Sequence, residues 1–243
     1  MRAFALTYPQ LMNQAIASGV GADALVRLRA THEWAESLAD GVYRPHGQPF
    51  LCHLVRTASI LLAEDQPLAV VRAGLIHAAY DLHRRLGARG TRRTWLRRAV
   101  GADVEELVFA YYRLPWNSAD RLDRHVASFD RYDETTRRAV VMRLANELED
   151  HLDRSAAYAS ADHARRRRER RDGCLALARA ACSPALVNEL ERAFDGQLDP
   201  PLPAVAVMGR DQGYAVWMKR WPELSRMRGV MRDLMRRGPS RSG

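Results

Sequence analysis

Two histidines, His53 and His77, lie in otherwise apolar helical patterns of this 243-residue chain. A neutral imidazole can bind a divalent metal or transfer a proton. A single histidine on an apolar helix is usually structural, but these two belong to consecutive segments that are predicted to form core helices. The pair therefore predicts a polar pocket between buried helices.

Further polar residues occur at helical spacing. His77 and Asp81 are four residues apart, which places both on one face if the helix is continuous. Asn146 and Asp150 repeat that spacing on a long later helix, where they interrupt an apolar stripe. We expect a pocket between three helices, and its candidate catalytic residues are His53, His77, Tyr80, Asp81, Asn146 and Asp150.

Clustered titratable groups in a buried pocket can have proton affinities near neutrality. In this hypothesis Asp81 acts as a base, and Tyr80 or His77 donates a proton. In the alternative, Tyr80 only caps the pocket and Asp81 pairs with an arginine. The candidate substrate-binding residues are Arg44, His46, Gln48 and Glu147.

The elements that must position these residues are helices. Apolar residues recur at intervals of three and four along nearly the whole chain, and strand patterns are scarce. The predicted fold class is therefore all-α, a helical bundle with a C-terminal helical extension. The helices are predicted at residues 8–18, 22–38, 50–63, 67–86, 91–100, 102–112, 120–129, 134–157, 163–181 and 184–194.

The domain organisation follows from the prolines. Residues 196–204 contain Pro200, Pro201 and Pro203 and are the clearest linker in the chain. We therefore predict a helical domain over residues 1–195 and a basic C-terminal segment over residues 205–243.

The net charge of +9 and the pI of about 10.1 come almost entirely from arginine, since Lys219 is the only lysine. Such a charge favours an anionic ligand or nucleic acid as partner. The densest charge run, Arg165–Arg171, is more typical of a solvated helix face than of a binding motif. No apolar run is long enough to span a membrane, so we expect a cytoplasmic protein.

The segment from Arg44 to His53 resembles a motif of the HD-domain phosphohydrolases, most closely the stringent-response ppGpp hydrolase type. In that family Arg-x-x-Gly-x-Pro-aromatic-x-x-His supplies the first metal-binding histidine. The resemblance implies that His53 is this ligand and that Arg44 contacts the alarmone.

Two further segments carry the same resemblance. Gly74–His77 is similar to the apolar helix that ends in Leu-x-His-Asp, and Leu144–Leu148 is similar to the Leu-Ala-Asp-x-Leu motif. Residues 98–108 also resemble the intervening helix pair. The likeness covers about residues 25–155 and implies an HD-like helical fold.

The chain departs from this pattern at two metal ligands. Ala78 stands where the family has aspartate, and Asn146 stands where the last motif has aspartate. Manganese and magnesium depend on anionic oxygen ligands, so the usual hydrolysis is expected to be lost. No cofactor is predicted; a transition metal, if one binds, would use His53 and His77. Residues 77–80 also resemble HD-like bacterial domains that have His-small-x-Tyr, which implies a repurposed pocket.

Three functions fit these observations. The first is an enzyme of small-molecule metabolism that performs acid/base chemistry on a small polar or anionic metabolite. The second is a non-catalytic protein that binds a nucleotide or another anion through Arg44. The third, which is not favoured, is a nucleic-acid or protein-partner module that uses Arg165–Arg171 and the segment after Pro203. A homo-oligomer is compatible with all three.

Overall fold

The computed structural model describes residues 2–44, 47–85, 92–152, 165–166 and 168–195. Within these ranges the regular elements are all helices, and one isolated bridge joins Tyr43 to Pro49. The all-α prediction is confirmed. The helices are α1 Tyr8–Ala17, α2 Ala22–Ala39, α3 Phe50–Ala63, α4 Leu68–Leu75, α5 Ala79–Arg85, α6 Arg92–Val100, α7 Ala102–Arg113, α8 Ala119–Ser128, the short 3-10 helix Phe129–Arg131, α9 Glu134–Leu152, α10 Arg171–Ala181 and α11 Pro184–Asp195.

Helices α3 and α9 form the centre of the bundle. Helix α3 packs against α1, α2, α4 and α9, whereas α9 packs against α3, α4, α7, α10 and α11. Both helices are buried around most of their circumference, as expected for helices that other elements surround on all sides. Polar side chains on α3 and α9 are therefore held in the interior.

The prediction of a single helix over residues 67–86 is wrong, because one helix ends at Leu75 and the next begins at Ala79. The side-chain Nδ1–H of His77 donates to the carbonyl oxygen of Gly74 at 2.7 Å, and the backbone N–H of His77 approaches the same oxygen at 3.5 Å. A regular helix would use that carbonyl for the N–H of Ala78. His77 thus closes the end of α4, and the predicted face shared by His77 and Asp81 is lost.

Gly74 also sets the contact between α3 and α4. A Cβ atom at this position would lie 2.3 Å from Cδ1 of Leu61, which is fully buried on α3. The Leu61 side chain therefore occupies the space that a side chain at residue 74 would need, and any larger residue there would require Leu61 to move.

A short loop leads into α3. The N–H of Arg44 donates to the carbonyl of Gln48 at 2.8 Å, and the N–H of Gly47 donates to the carbonyl of Arg44 at 2.9 Å. Gly47 has a φ of +91°, a conformation that favours glycine. This loop turns the side chain of Arg44 into the bundle.

No helix within the described part of the chain is both long enough and apolar enough to cross a membrane. The predicted linker, residues 196–204, and the C-terminal segment, residues 205–243, lie outside the described residues, as does the predicted extension of α9 beyond residue 152.

Candidate functional site: a buried charge cluster around His53

Five polar residues from four parts of the fold meet in the interior, and we call them the His53 cluster. His53 lies on α3, His77 lies in the turn after α4, and Arg44 reaches in from the loop before α3. Helix α9 contributes Glu149 and Asp150. None of the five is more than 7% exposed, so their charges interact without screening by bulk water.

The two imidazoles contact each other directly. Nε2 of His53 lies 3.2 Å from Nε2 of His77. Burial, followed by the charge of His53, lowers the pKa of His77 to about 3, so this ring is neutral at neutral pH. Its single proton is on Nδ1, which donates to Gly74, and its Nε2 is therefore an acceptor. His53 must donate from Nε2 to make this contact.

The other nitrogen of His53 faces a carboxylate. Nδ1 of His53 makes a short hydrogen bond with Oε2 of Glu149. Burial alone would raise the pKa of Glu149, but the charges of His53 and Arg44 outweigh it and lower that pKa. Glu149 is therefore ionised and acts as the acceptor in this contact.

Arg44 joins the two carboxylates. Its Nη1 donates to Oε2 of Glu149 at 2.7 Å, and its Nη2 donates to Oδ1 of Asp150. Nη1 also lies 3.2 Å from Nδ1 of His53. A second cation, Arg56, approaches the other oxygen of Glu149 at 3.6 Å. The forked geometry of the Arg44 guanidinium suits this bridging position.

Asn146 lies at the edge of the cluster. Its Nδ2 donates to Oδ2 of Asp150 at 3.4 Å, so the two residues share a helix face as their four-residue spacing predicts.

The imidazole of His77 also has aromatic neighbours. It packs against the ring of Tyr111 at 4.9 Å between centroids, and Arg143 lies 3.8 Å above the Tyr111 ring. These neighbours fix the orientation of the His77 imidazole.

Tyr80 lies in a different site, which we call the Glu105 cluster: Tyr80, Arg93, Arg97 and Glu105. The hydroxyl of Tyr80 donates to Oε1 of Glu105 at 2.5 Å. Arg93 donates to both oxygens of Glu105, at 2.7 and 2.9 Å, and Arg97 donates to Oε2 at 2.7 Å. The predicted catalytic residue Tyr80 is thus part of a clamp between α5, α6 and α7. Asp81, also on α5, is half-buried.

Glu147 lies in a third network. It accepts hydrogen bonds from Nε1 of Trp116 at 3.2 Å and from Nη2 of Arg170 at 3.1 Å, and it contacts His151 at 3.3 Å. These contacts tie α9 to the start of α10. Of the other predicted substrate-binding residues, Gln48 is half-buried and uses its carbonyl for the Arg44 loop, whereas His46 lies outside the described residues.

The arginine run makes contacts within this chain. Arg165 pairs with Glu169 at 2.9 Å, and Arg171 pairs with Asp195 at 2.9 Å. Together with Arg170 on Glu147, these ion pairs give three arginines of the run intramolecular partners. Arg165 and Arg171 are thus paired near the surface, whereas Arg170 is largely buried against Glu147.

Glu149 was missed by reasoning from the sequence. It lies three residues after Asn146, so helical spacing also places it on that face. Asn146 and Asp150 are the catalytic candidates and Glu147 is the substrate-binding candidate that the sequence predicts on this helix, and Glu149 is not among them. The available signal was the adjacent carboxylates Glu149 and Asp150 at the end of an apolar stripe.

Fold and site together define an all-α protein with a buried histidine, arginine and carboxylate cluster. A family model described as "Domain of unknown function (DUF6817)" matches residues 35–115. That stretch contains Arg44, His53 and His77, whereas α9 with Glu149 and Asp150 lies beyond it. A comparison with curated proteins gave no match. The chain is thus similar to this family over one side of the cluster.

The metal site implied by the HD resemblance, in which one ion binds both His53 and His77, does not fit this arrangement. The two nitrogens of an imidazole point in opposite directions, and on His53 the carboxylates lie on the Nδ1 side whereas His77 lies on the Nε2 side. One cation cannot take both imidazoles and these carboxylates through single ring nitrogens. Position 78 offers only a methyl group, and Asn146 offers a neutral amide.

Proposed function

We propose that the protein is an HD-like enzyme that performs metal-independent acid/base chemistry on a small polar or anionic metabolite. In this proposal His53 is the proton donor and His77 is the proton acceptor. The observation that carries it is the contact between the two Nε2 atoms at 3.2 Å, with a carboxylate at Nδ1 of His53 and a backbone carbonyl at Nδ1 of His77.

The two rings differ in their partners. Nδ1 of His53 faces the carboxylate of Glu149, whereas the carbonyl of Gly74 and burial hold His77 neutral with its lone pair on Nε2. Neighbouring groups whose environments differ in this way can serve as acid and base in one site. A substrate group that displaced the contact between the two Nε2 atoms would meet a donor on one side and an acceptor on the other.

The substrate class follows from the charge near the rings. Arg44 is the cation closest to the imidazole pair, at 3.2 Å from Nδ1 of His53. A buried guanidinium favours a carboxylate, a phosphate or another planar anion. Arg44 therefore stays a candidate substrate-binding residue, as its place in the sequence motif implies.

A purely structural role explains the cluster poorly. Replacement of a buried ion pair by apolar residues is often neutral or stabilising, so stability alone does not require five polar residues in the core. Buried charges with perturbed proton affinities are typical of functional sites. The His53 cluster contains buried charges, and the pKa values of its members His77 and Glu149 are lowered.

The first test is the protonation state of each ring. Nitrogen NMR of the histidine side chains, assigned with His53→Gln and His77→Gln, should show His77 neutral with its proton on Nδ1 and His53 with a proton on Nε2 at neutral pH. If the proton of His77 is on Nε2, or if His77 is charged, the assignment of donor and acceptor is wrong.

The second test is activity. The purified protein would be incubated with phosphorylated and carboxylated metabolites in the presence of EDTA, and mass spectrometry would follow their conversion. We expect turnover to persist in EDTA, to fall at least about 100-fold in His53→Gln and His77→Gln, and to be retained in Tyr80→Phe. Turnover that requires a divalent metal, or that survives both histidine substitutions, would overturn the proposal.

A further inference from the structure

Three atoms of the His53 cluster have the arrangement of a cation site. A ring nitrogen of His53 and one carboxylate oxygen each from Glu149 and Asp150 lie within 4.8 Å of one another, and all three residues are buried. Histidine nitrogen and carboxylate oxygen are the usual ligands of transition metals such as zinc and cobalt. This set lies on the Nδ1 side of His53, away from His77.

The guanidinium of Arg44 contacts every one of these donors. Its Nη1 lies 2.7 Å from Oε2 of Glu149 and 3.2 Å from Nδ1 of His53, and its Nη2 bonds to Oδ1 of Asp150. A side chain that reaches three converging ligand atoms occupies the space in which a metal ion would be coordinated.

We propose that Arg44 is a built-in substitute for a divalent cation: His53, Glu149 and Asp150 form a three-ligand cation site that the chain closes with its own guanidinium. This inference concerns binding and is independent of the proposed reaction. It accounts for two neighbouring carboxylates in the interior, because like charges repel each other there unless a positive charge contacts both.

The closure has a chemical consequence. A guanidinium stays charged at any physiological pH, and its position is fixed by the chain, so a positive charge faces the two carboxylates without any requirement for metal. The site would therefore keep its electrostatic organisation under conditions in which a metalloenzyme loses its ion.

The test is to open the site with Arg44→Ala and to add cobalt(II), whose visible spectrum reports coordination by protein ligands. We expect the variant to develop cobalt absorption bands and to gain about 5 °C or more in melting temperature at saturating cobalt. The wild type should show neither change. Cobalt bands of equal intensity in the wild type would overturn the proposal, because Arg44 would then not fill the site.

Two variants show whether the cobalt sits at these ligands. His53→Gln in the Arg44→Ala background should abolish the bands. Arg72→Ala is the matched control, since Arg72 is also buried but bonds to Thr31 and to the carbonyl of Val100, at 2.8 Å each. It should be destabilised without any response to cobalt; a response equal to that of Arg44→Ala would also overturn the proposal.

Chemical rescue gives an independent measurement. Free guanidinium, at concentrations well below those that denature proteins, should raise the melting temperature of Arg44→Ala but lower that of wild type and of Arg72→Ala. Arg44→Lys, which keeps the charge, should fold and show no cobalt bands. If Arg44→Ala folds only when cobalt or guanidinium is present, the proposal is supported. If Arg44→Ala remains unfolded even when cobalt or guanidinium is added, the proposal is rejected.

Discussion

The His53 cluster and the Glu105 cluster both surround a fully buried glutamate with arginine, yet they differ in the position of the cations. The side chains of Arg93 and Arg97 are 43% and 42% exposed, whereas that of Arg44 is 7% exposed. In the Glu105 cluster the arginines bury their stems and keep their charge near water. In the His53 cluster both signs of charge are buried.

The two clusters also differ in what their protons can do. Burial and the hydrogen bond to Glu105 raise the pKa of Tyr80 well above its ordinary value, so this hydroxyl keeps its proton. His53 and His77 instead share a contact in which one ring donates and the other accepts. A buried glutamate therefore marks a structural clamp in one place and a candidate reaction centre in the other, and the partners decide which.

The largest difference should appear on removal of the glutamate from the His53 cluster. Glu149→Ala leaves Arg44 and His53 buried without their shared acceptor, and loss of one partner of a buried pair costs about 3–5 kcal/mol. Urea unfolding should show this loss. Glu106→Ala, which breaks an exposed pair with Arg97, is the control and should change stability by less than about 1 kcal/mol.

The corresponding change in the other cluster should be smaller. Glu105→Gln keeps an acceptor for Tyr80, and the half-exposed Arg93 and Arg97 can regain water, so we expect a loss of about 2 kcal/mol in urea unfolding. A loss as large as that of Glu149→Ala would remove the distinction between the two clusters.

The third prediction concerns pH. Burial lowers the pKa of His77 from 6.5 to about 3, so between these values the unfolded chain binds a proton that the folded protein does not. The free energy of unfolding should therefore fall as pH decreases from about 6.5 towards 3, by up to about 1.4 kcal/mol per pH unit.

His77→Gln should reduce this pH dependence, measured as urea unfolding at pH 7, 6 and 5. Burial also lowers the pKa of His32, but that contribution is present in both proteins and cancels in the comparison. An unchanged slope would mean that His77 is not held neutral in the folded state.

The smallest effect is expected from Tyr80→Phe. The variant loses one hydrogen bond to Glu105 and should be destabilised by about 1 kcal/mol. The NMR signals of the His53 and His77 rings should not move, because Tyr80 belongs to the other cluster. A shift of either ring would show that the two clusters are coupled.

Much of the fold could be predicted from periodicity. Helix α3 begins and ends where the apolar pattern predicts, and α9 begins at the predicted residue, because both helices carry regular core positions. The break between α4 and α5 could not be predicted in this way. Residues 75–79 contain no glycine or proline to mark the break, and the side chain of His77 takes the carbonyl of Gly74 that a continuous helix would use.

The site was predictable only in part. The sequence pointed to Arg44, His53, His77 and Asp150, and the structure brings them together. It pointed equally to Glu147, but each residue advances about 100° around a helix, so Glu147 and Glu149 point about 200° apart. Which of the two faces His53 depends on the rotation of α9 in the bundle, and local spacing does not contain that information.

Gly74 has no side chain to offer to chemistry, yet two properties of the site depend on it. Its carbonyl holds the Nδ1 proton of His77 and so leaves Nε2 as the acceptor, and its missing methyl group leaves room for the Leu61 side chain of the helix that carries His53. The arrangement of the His53 cluster therefore depends in part on a residue that has no reactive side chain.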